Sequence, residues 1–208
     1  MKKKIFGITL AVCLIVLSIA STTMAYFTDT DTKTNVFTAG KVDIKFTQET
    51  IFEDGNVYPG KQIGSAAKVE NVGTETAYAG IIITITTKLP NNVDLTEGDI
   101  AALFDITNFK YSKTTNESGV TTVSVYVVNT AVLTTTGDTK TTTFYEKIAV
   151  PYSWDNTKMG MFNNLSISVT AYATQSVGFD NAETALTTAF VDNGWGDAYT
   201  AATAFTAN

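Results

Sequence analysis

Lys41-Val42-Asp43-Ile44-Lys45-Phe46 sets Val42, Ile44 and Phe46 on one side of an extended chain and Lys41, Asp43 and Lys45 on the other. That period of two is what a half-buried β-strand requires. The same reading extends outward to Tyr78–Lys88, Val120–Val128, Thr141–Val150 and Leu165–Thr174, each rich in β-branched or aromatic residues and bounded by Gly, Asn or Asp. Val57–Ile63, Ala66–Glu70 and Phe109–Ser112 are shorter candidates. Asn71-Val72-Gly73-Thr74 reads as a tight connection in which Asn and Gly tolerate positive φ.

Two segments break this pattern with helical spacing. Leu95–Phe104 offers Thr96 as N-cap, Glu97 and Asp99 in the first turn, and Ile100, Leu103 and Phe104 on one face. Phe179–Val191 offers Asp180 as cap, Glu183 three residues on, and Ala182, Leu186, Ala189 and Phe190 as a stripe. Both read as helices packed on a core. Phe179, Trp195, Tyr199 and Phe205 near the C-terminus read as core for the same reason. Many short strands with few helices predict an all-β fold, a jelly-roll-like antiparallel β-sandwich with one or two short helices. Threonine runs such as Thr134-Thr135-Thr136 suit strands with a wet face better than a glycosylated stalk, since the chain has only 3 prolines.

At 208 residues, 44% apolar and 16% charged, the chain is long and apolar enough for one well-buried core. All 14 basic residues are lysines, against 20 acidic ones. Lys2, Lys3 and Lys4 precede an apolar run, Ile5–Ala20, and Ser21-Thr22-Thr23-Met24-Ala25 supplies small residues before Tyr26, the pattern of a secretory signal peptide. The expected division is a signal peptide over 1–25 cleaved between Ala25 and Tyr26, an N-terminal strand over 26–40, and a sandwich domain with a C-terminal helical segment over 41–208. Cleavage leaves 11 lysines against 20 acidic residues, a net charge of −9. Such a surface repels phosphate backbones and anionic headgroups, so neither nucleic acid nor, after cleavage, a membrane is an expected partner.

The chain has no histidine, and its one cysteine, Cys13, lies inside the apolar leader. The usual general base, the Ser-His-Asp and Cys-His pairs, and histidine- or thiolate-held zinc are thereby missing. No enzyme activity, cofactor or metal residue is expected. Asp29-Thr30-Asp31-Thr32-Lys33-Thr34-Asn35 alternates like a calcium loop, but a lysine replaces a ligand and the turn glycine and terminal glutamate are missing. Glu49, Glu53 and Asp54 have no spacing that singles them out from a solvated loop.

The segment from Tyr26 to Phe37 is more distinctive. Thr28, Thr30, Thr32, Thr34 and Val36 hold the even positions, and Asp29, Asp31, Lys33 and Asn35 hold the odd ones between Phe27 and Phe37. That is strand periodicity with little apolar area, suited to pairing with a sheet edge of its own domain or of another subunit. Tyr26, Phe27, Thr28, Asp29, Thr30, Val36 and Phe37 are the expected assembly residues.

The lysine-led signal ending at Ala25, then Tyr26-Phe27-Thr28-Asp29, Asn35-Val36-Phe37-Thr38-Ala39-Gly40 and Val42-Asp43-Ile44, resembles the opening of the TasA/camelysin family. Lys68–Tyr78, and Ala171-Tyr172-Ala173-Thr174-Gln175 followed by Gly178-Phe179, are similar to that family as well. The resemblance implies a secreted jelly-roll protein of the extracellular matrix or cell surface, matured by a SipW-like signal peptidase. It further implies self-association into fibres, in which one subunit's N-terminal strand completes the next one's sheet, and contact with other matrix or surface proteins. Camelysin-like members are classed as metallopeptidases, and a sequence without histidine or HExxH departs from that chemistry. A secreted camelysin-like metallopeptidase and a surface-binding module are the alternatives.

Overall fold

The computed structural model of the chain describes residues 28–31, 42–48, 57–90, 93–192 and 195–206. Its organising strand is β4, Ala77–Lys88. Ala79, Ile81, Ile83 and Ile85 alternate onto one face and are fully buried, while Tyr78 and Ile82 are buried on the other. From Thr84 onward the second face opens, with Thr84 and Thr86 half-buried and Lys88 exposed. A strand reading apolar on both faces needs cover on both, and one reading apolar-polar needs it on one. β4 changes from the first condition to the second along its length.

β4 lies inside a six-stranded sheet in the order β1 (Thr28–Asp31), β8 (Ser166–Gln175), β4, β6 (Val120–Leu133), β5 (Asn108–Thr115) and β9 (Thr203–Thr206). A second sheet places β3 (Gln62–Asn71) between β2 (Ile44–Thr47) and β7 (Thr141–Ala149). Every pairing is antiparallel. Ile44, Val69 and Ile148 from the smaller sheet meet Ile81, Ile83, Val123 and Val125 from the larger one in a single core. Each such side chain stabilises the fold by about 1.5–3 kcal/mol through burial. The all-β sandwich expected from the alternation is what forms.

Helix α1, Glu97–Phe104, starts at the expected cap: Thr96 Oγ1 accepts from the Asp99 amide, and Asp99 accepts in return from the Thr96 amide. Ile100, Leu103 and Phe104 are buried, and Phe104 meets Tyr145 of β7 edge-on at 5.3 Å. Three short helices follow, α2 (Asn156–Met159), α3 (Ala182–Ala189) and α4 (Gly196–Ala201). α3 begins later than its stripe suggests, because Asn181 rather than Asp180 caps it by accepting from the Thr184 amide at 2.9 Å.

Two local readings change. Val57–Ile63 and Ala66–Glu70 are not two strands. Residues 62–71 form β3 alone, and a turn closed by the Lys61 amide donating to the Tyr58 carbonyl precedes it. The connection after Asn71 does not use positive φ, since the only glycines with it among the described residues are Gly60, Gly119, Gly137 and Gly178. Buried Asn71 builds that turn with its side chain instead. Its Oδ1 accepts from the Gly73 amide, and its Nδ2 donates to the carbonyls of Glu75 and Leu133.

Candidate functional site

The outer edge of β8 carries β1, Thr28–Asp31. Thr28, Asp29, Thr30 and Asp31 stand opposite Thr174, Ala173, Tyr172 and Ala171. β8 has 10 residues and β1 covers four of them, so Ser166–Thr170 carry no strand on that side among the described residues. The inner side of β8 is paired with β4 from Ser166 to Gln175. A four-residue antiparallel pairing holds about two to four backbone hydrogen bonds, each contributing a net of about 0.5–1.5 kcal/mol. The hold of β1 on its own sheet is therefore small beside that of the core.

Of the expected assembly residues, Thr28, Asp29 and Thr30 fall in β1, while Tyr26, Phe27, Val36, Phe37 and the boundary residue Ala25 lie outside the described residues. Glu49, Glu53 and Asp54 lie outside them too. The acceptor strand was not legible as such in the sequence. Ala171-Tyr172-Ala173-Thr174 shows only that it is buried on both faces, and nothing in it says which neighbour lies beside it.

The opposite edge of the sheet has the same form. β9 pairs with Asn108–Tyr111 of β5 and leaves Ser112–Thr115 without a strand on that side among the described residues. Phe205 of β9 seats against Phe109, ring centroids 4.9 Å apart. Lys110 of β5 reaches over Tyr199 of α4, 4.0 Å from its centroid, a cation–π contact that ties the C-terminal segment to this edge.

The polar clusters elsewhere are ties between elements. Asp99 Oδ1 accepts from Trp154 Nε1 at 3.0 Å, and its Oδ2 accepts from Lys158 Nζ at 2.6 Å. Burial pushes the Asp99 carboxyl up, but the Lys158 ammonium and the Thr96 hydroxyl and amide outweigh it and hold the group below its ordinary value. Tyr111 donates to Glu97 at 2.6 Å, which pushes the phenol up to about 12. An open cleft of about 270 Å³ is lined by Asp105, Asn108, Asn129 and Thr142, among others, and Asp105 is the one ionisable group among its described lining residues. A single carboxylate does not supply both an acid and a base.

A depressed carboxylate stabilises the native state above its unfolded pKa, and that contribution is lost as pH falls through the folded value. Asp99→Asn is therefore expected to cost about 1.5–3 kcal/mol at neutral pH, since it breaks charge-assisted bonds to Lys158 and Trp154. Urea melts at a series of pH values check this. The gap between wild type and variant should close as pH falls below Asp99's ordinary 3.8.

Residues 1–100 match the model of a family described as camelysin metallo-endopeptidase. No curated protein and no solved structure matches the chain. The description implies a metal, and the residues present do not fit a histidine- or thiolate-held one. The whole chain has no histidine, its one cysteine is Cys13, and no three Asp, Glu or Cys side chains cluster among the described residues. Among those residues no helix is long and apolar enough to cross a membrane. Residues 1–100 are thus similar to the camelysin family, and the motifs of the same stretch agree with that match.

Proposed function

We propose that the chain is a secreted structural subunit of an extracellular fibre or biofilm matrix, assembled by exchange of its N-terminal strand between copies. The observation that carries this reading is the edge of β8, ten residues long and covered, among the described residues, over four by the strand Thr28–Asp31. Carried along β8, the register of Thr28 opposite Thr174 would set residues 26 and 27 of a donor opposite 176 and 175, and residues 32 to 36 opposite 170 to 166. The Tyr26–Val36 stretch thus matches β8 in length. A donor from a second copy would form the four-residue pairing and extend it, gaining backbone hydrogen bonds without new side-chain chemistry. The similarity to that family over residues 1–100 supports export. Maturation by a SipW-like peptidase would leave Tyr26 as the first residue and free the segment to exchange.

The competing reading is a camelysin-like metallopeptidase, favoured by the family's description. Negative-stain microscopy of the purified exported protein, with its N-terminus sequenced, separates the two. Fibres built from chains beginning at Tyr26 are expected. Monodisperse particles with chelator-sensitive proteolysis would overturn the proposal.

A further inference from the structure

The geometry points to a second binding surface, unrelated to the strand edges: a two-tyrosine platform, Tyr58 and Tyr152, that stacks on the sugar rings of a neutral polysaccharide. Nearly all the large aromatic side chains among the described residues are buried or half-buried, yet Tyr58 is 58% and Tyr152 87% exposed. Singly exposed apolar residues need no explanation. These two sit on abutting turns.

In the first turn, the Lys61 amide donates to the Tyr58 carbonyl at 3.0 Å, with Pro59 and Gly60 between them and Gly60 at φ +87°. That is the proline-then-glycine order of a type II turn. In the second, the Trp154 amide donates to the Pro151 carbonyl at 3.2 Å across Tyr152 and Ser153. The turns are fastened together, the Gly60 amide donating to the Val150 carbonyl at 2.8 Å and the Val150 amide to the Lys61 carbonyl at 2.9 Å. A Cβ on Gly60 would lie 2.6 Å from Tyr152 Cζ, so the bare glycine is what lets the Tyr152 ring rest against the first turn. The second turn is anchored at its end by buried Trp154, which donates to Asp99 and packs on Phe162 with ring centroids 5.9 Å apart.

Two rings carried on turns that are fastened to each other bind at low entropic cost, because a tyrosine has only two side-chain torsions to fix. Sugar rings present apolar C–H faces to an aromatic plane and hydroxyls to donors at the rim. The Tyr hydroxyls and the Lys61 ammonium, 5.9 Å from the Tyr58 centroid, supply such rim groups. The chain's net charge of −6 disfavours an anionic polymer. Two tyrosines cover about 150–250 Å² each, short of the roughly 800 Å² per partner of a stable protein interface, so a slender chain fits better than a folded partner.

Titration of the full-length mature protein with cellohexaose and with chitohexaose, followed by calorimetry, tests this. Binding of at least one is expected. Tyr58→Ala and Tyr152→Ala should each weaken it about three- to tenfold, Tyr152→Phe should retain it, and the double alanine variant should abolish it. Unchanged melting temperatures would show that these exposed substitutions leave the fold intact. Absence of binding to either sugar, or undiminished binding by the double variant, would overturn the inference. So would a wild type that binds no sugar but self-associates through these tyrosines in sedimentation velocity.

Discussion

Gly80→Val is expected to destabilise the protein by about 3–5 kcal/mol and to detach the C-terminal helices from the sheet while leaving the inner core in place. Gly80 lies on β4 between Tyr78 and Ile82, paired to Val128 on one side and Tyr172 on the other. A Cβ there would sit 2.7 Å from the Trp195 Cη2 and Cζ2 atoms and 2.9 Å from Leu186 Cδ1. Trp195 is fully buried, with Tyr126, Tyr172 and Tyr199 around it at centroid distances of 5.2–5.9 Å. Neither the β4 backbone nor that ring cage has room to yield. Overpacking costs about 1–3 kcal/mol on its own, and expulsion of a buried tryptophan about 3–5 kcal/mol.

Trp195 fluorescence reports the displacement as a red shift, with Trp154 as the only other tryptophan. Trp195→Phe supplies a contrast. The Trp195 Nε1 has no hydrogen-bond partner among the described residues, and removing an unsatisfied buried donor offsets part of the lost ring area. The phenylalanine variant should therefore be milder than Gly80→Val. An equal loss in both would mean that contact area, and not the space above Gly80, governs this cover.

What was legible in the sequence was whatever repeats at short range. Val42, Ile44 and Phe46 advertise one buried face, and Thr96 with Asp99 advertises a helix start three residues apart. Both are local patterns: the helix starts where it was read, while the strand forms only from Ile44, with Val42 buried just before it and Phe46 half-buried. Gly80 gave no such sign, because its role depends on Trp195, which lies 115 positions later and reaches it only through the sheet. The turn after Asn71 was misread for a related reason. An Asn with a Gly two residues on suggests backbone chemistry, whereas the side chain of Asn71 bridges to Leu133, a partner set by the meeting of two sheets. Tyr58 and Tyr152 stand 94 positions apart, and only the turns joined at Gly60 and Val150 make them neighbours. The same limit applies to the candidate edge, since alternation from Thr28 to Thr34 marks a strand but cannot name β8 as its mate.

Removal of Tyr26 to Lys33 is expected to abolish assembly while costing only about 1–3 kcal/mol of stability. The deletion takes away all of β1, hence the few backbone hydrogen bonds to Ala171–Thr174. No residue of the described core belongs to it, since that core is built from Val42 onward. β8 keeps its full pairing with β4, so the loss opens an edge without opening the sandwich. Circular dichroism should keep its β signature and the melting transition should shift by a few degrees, while sedimentation shows monomers in place of fibres. A peptide of residues 26–37, added to the truncated protein, should then raise its melting temperature in proportion to the logarithm of peptide concentration, as a ligand of the native state must once it exceeds its Kd. A truncated chain that unfolds would mark β1 as an essential strand of its own domain. One that still forms fibres would place the assembly contact elsewhere, and the edge of β5, which β9 covers only in part among the described residues, would be the next place to cut.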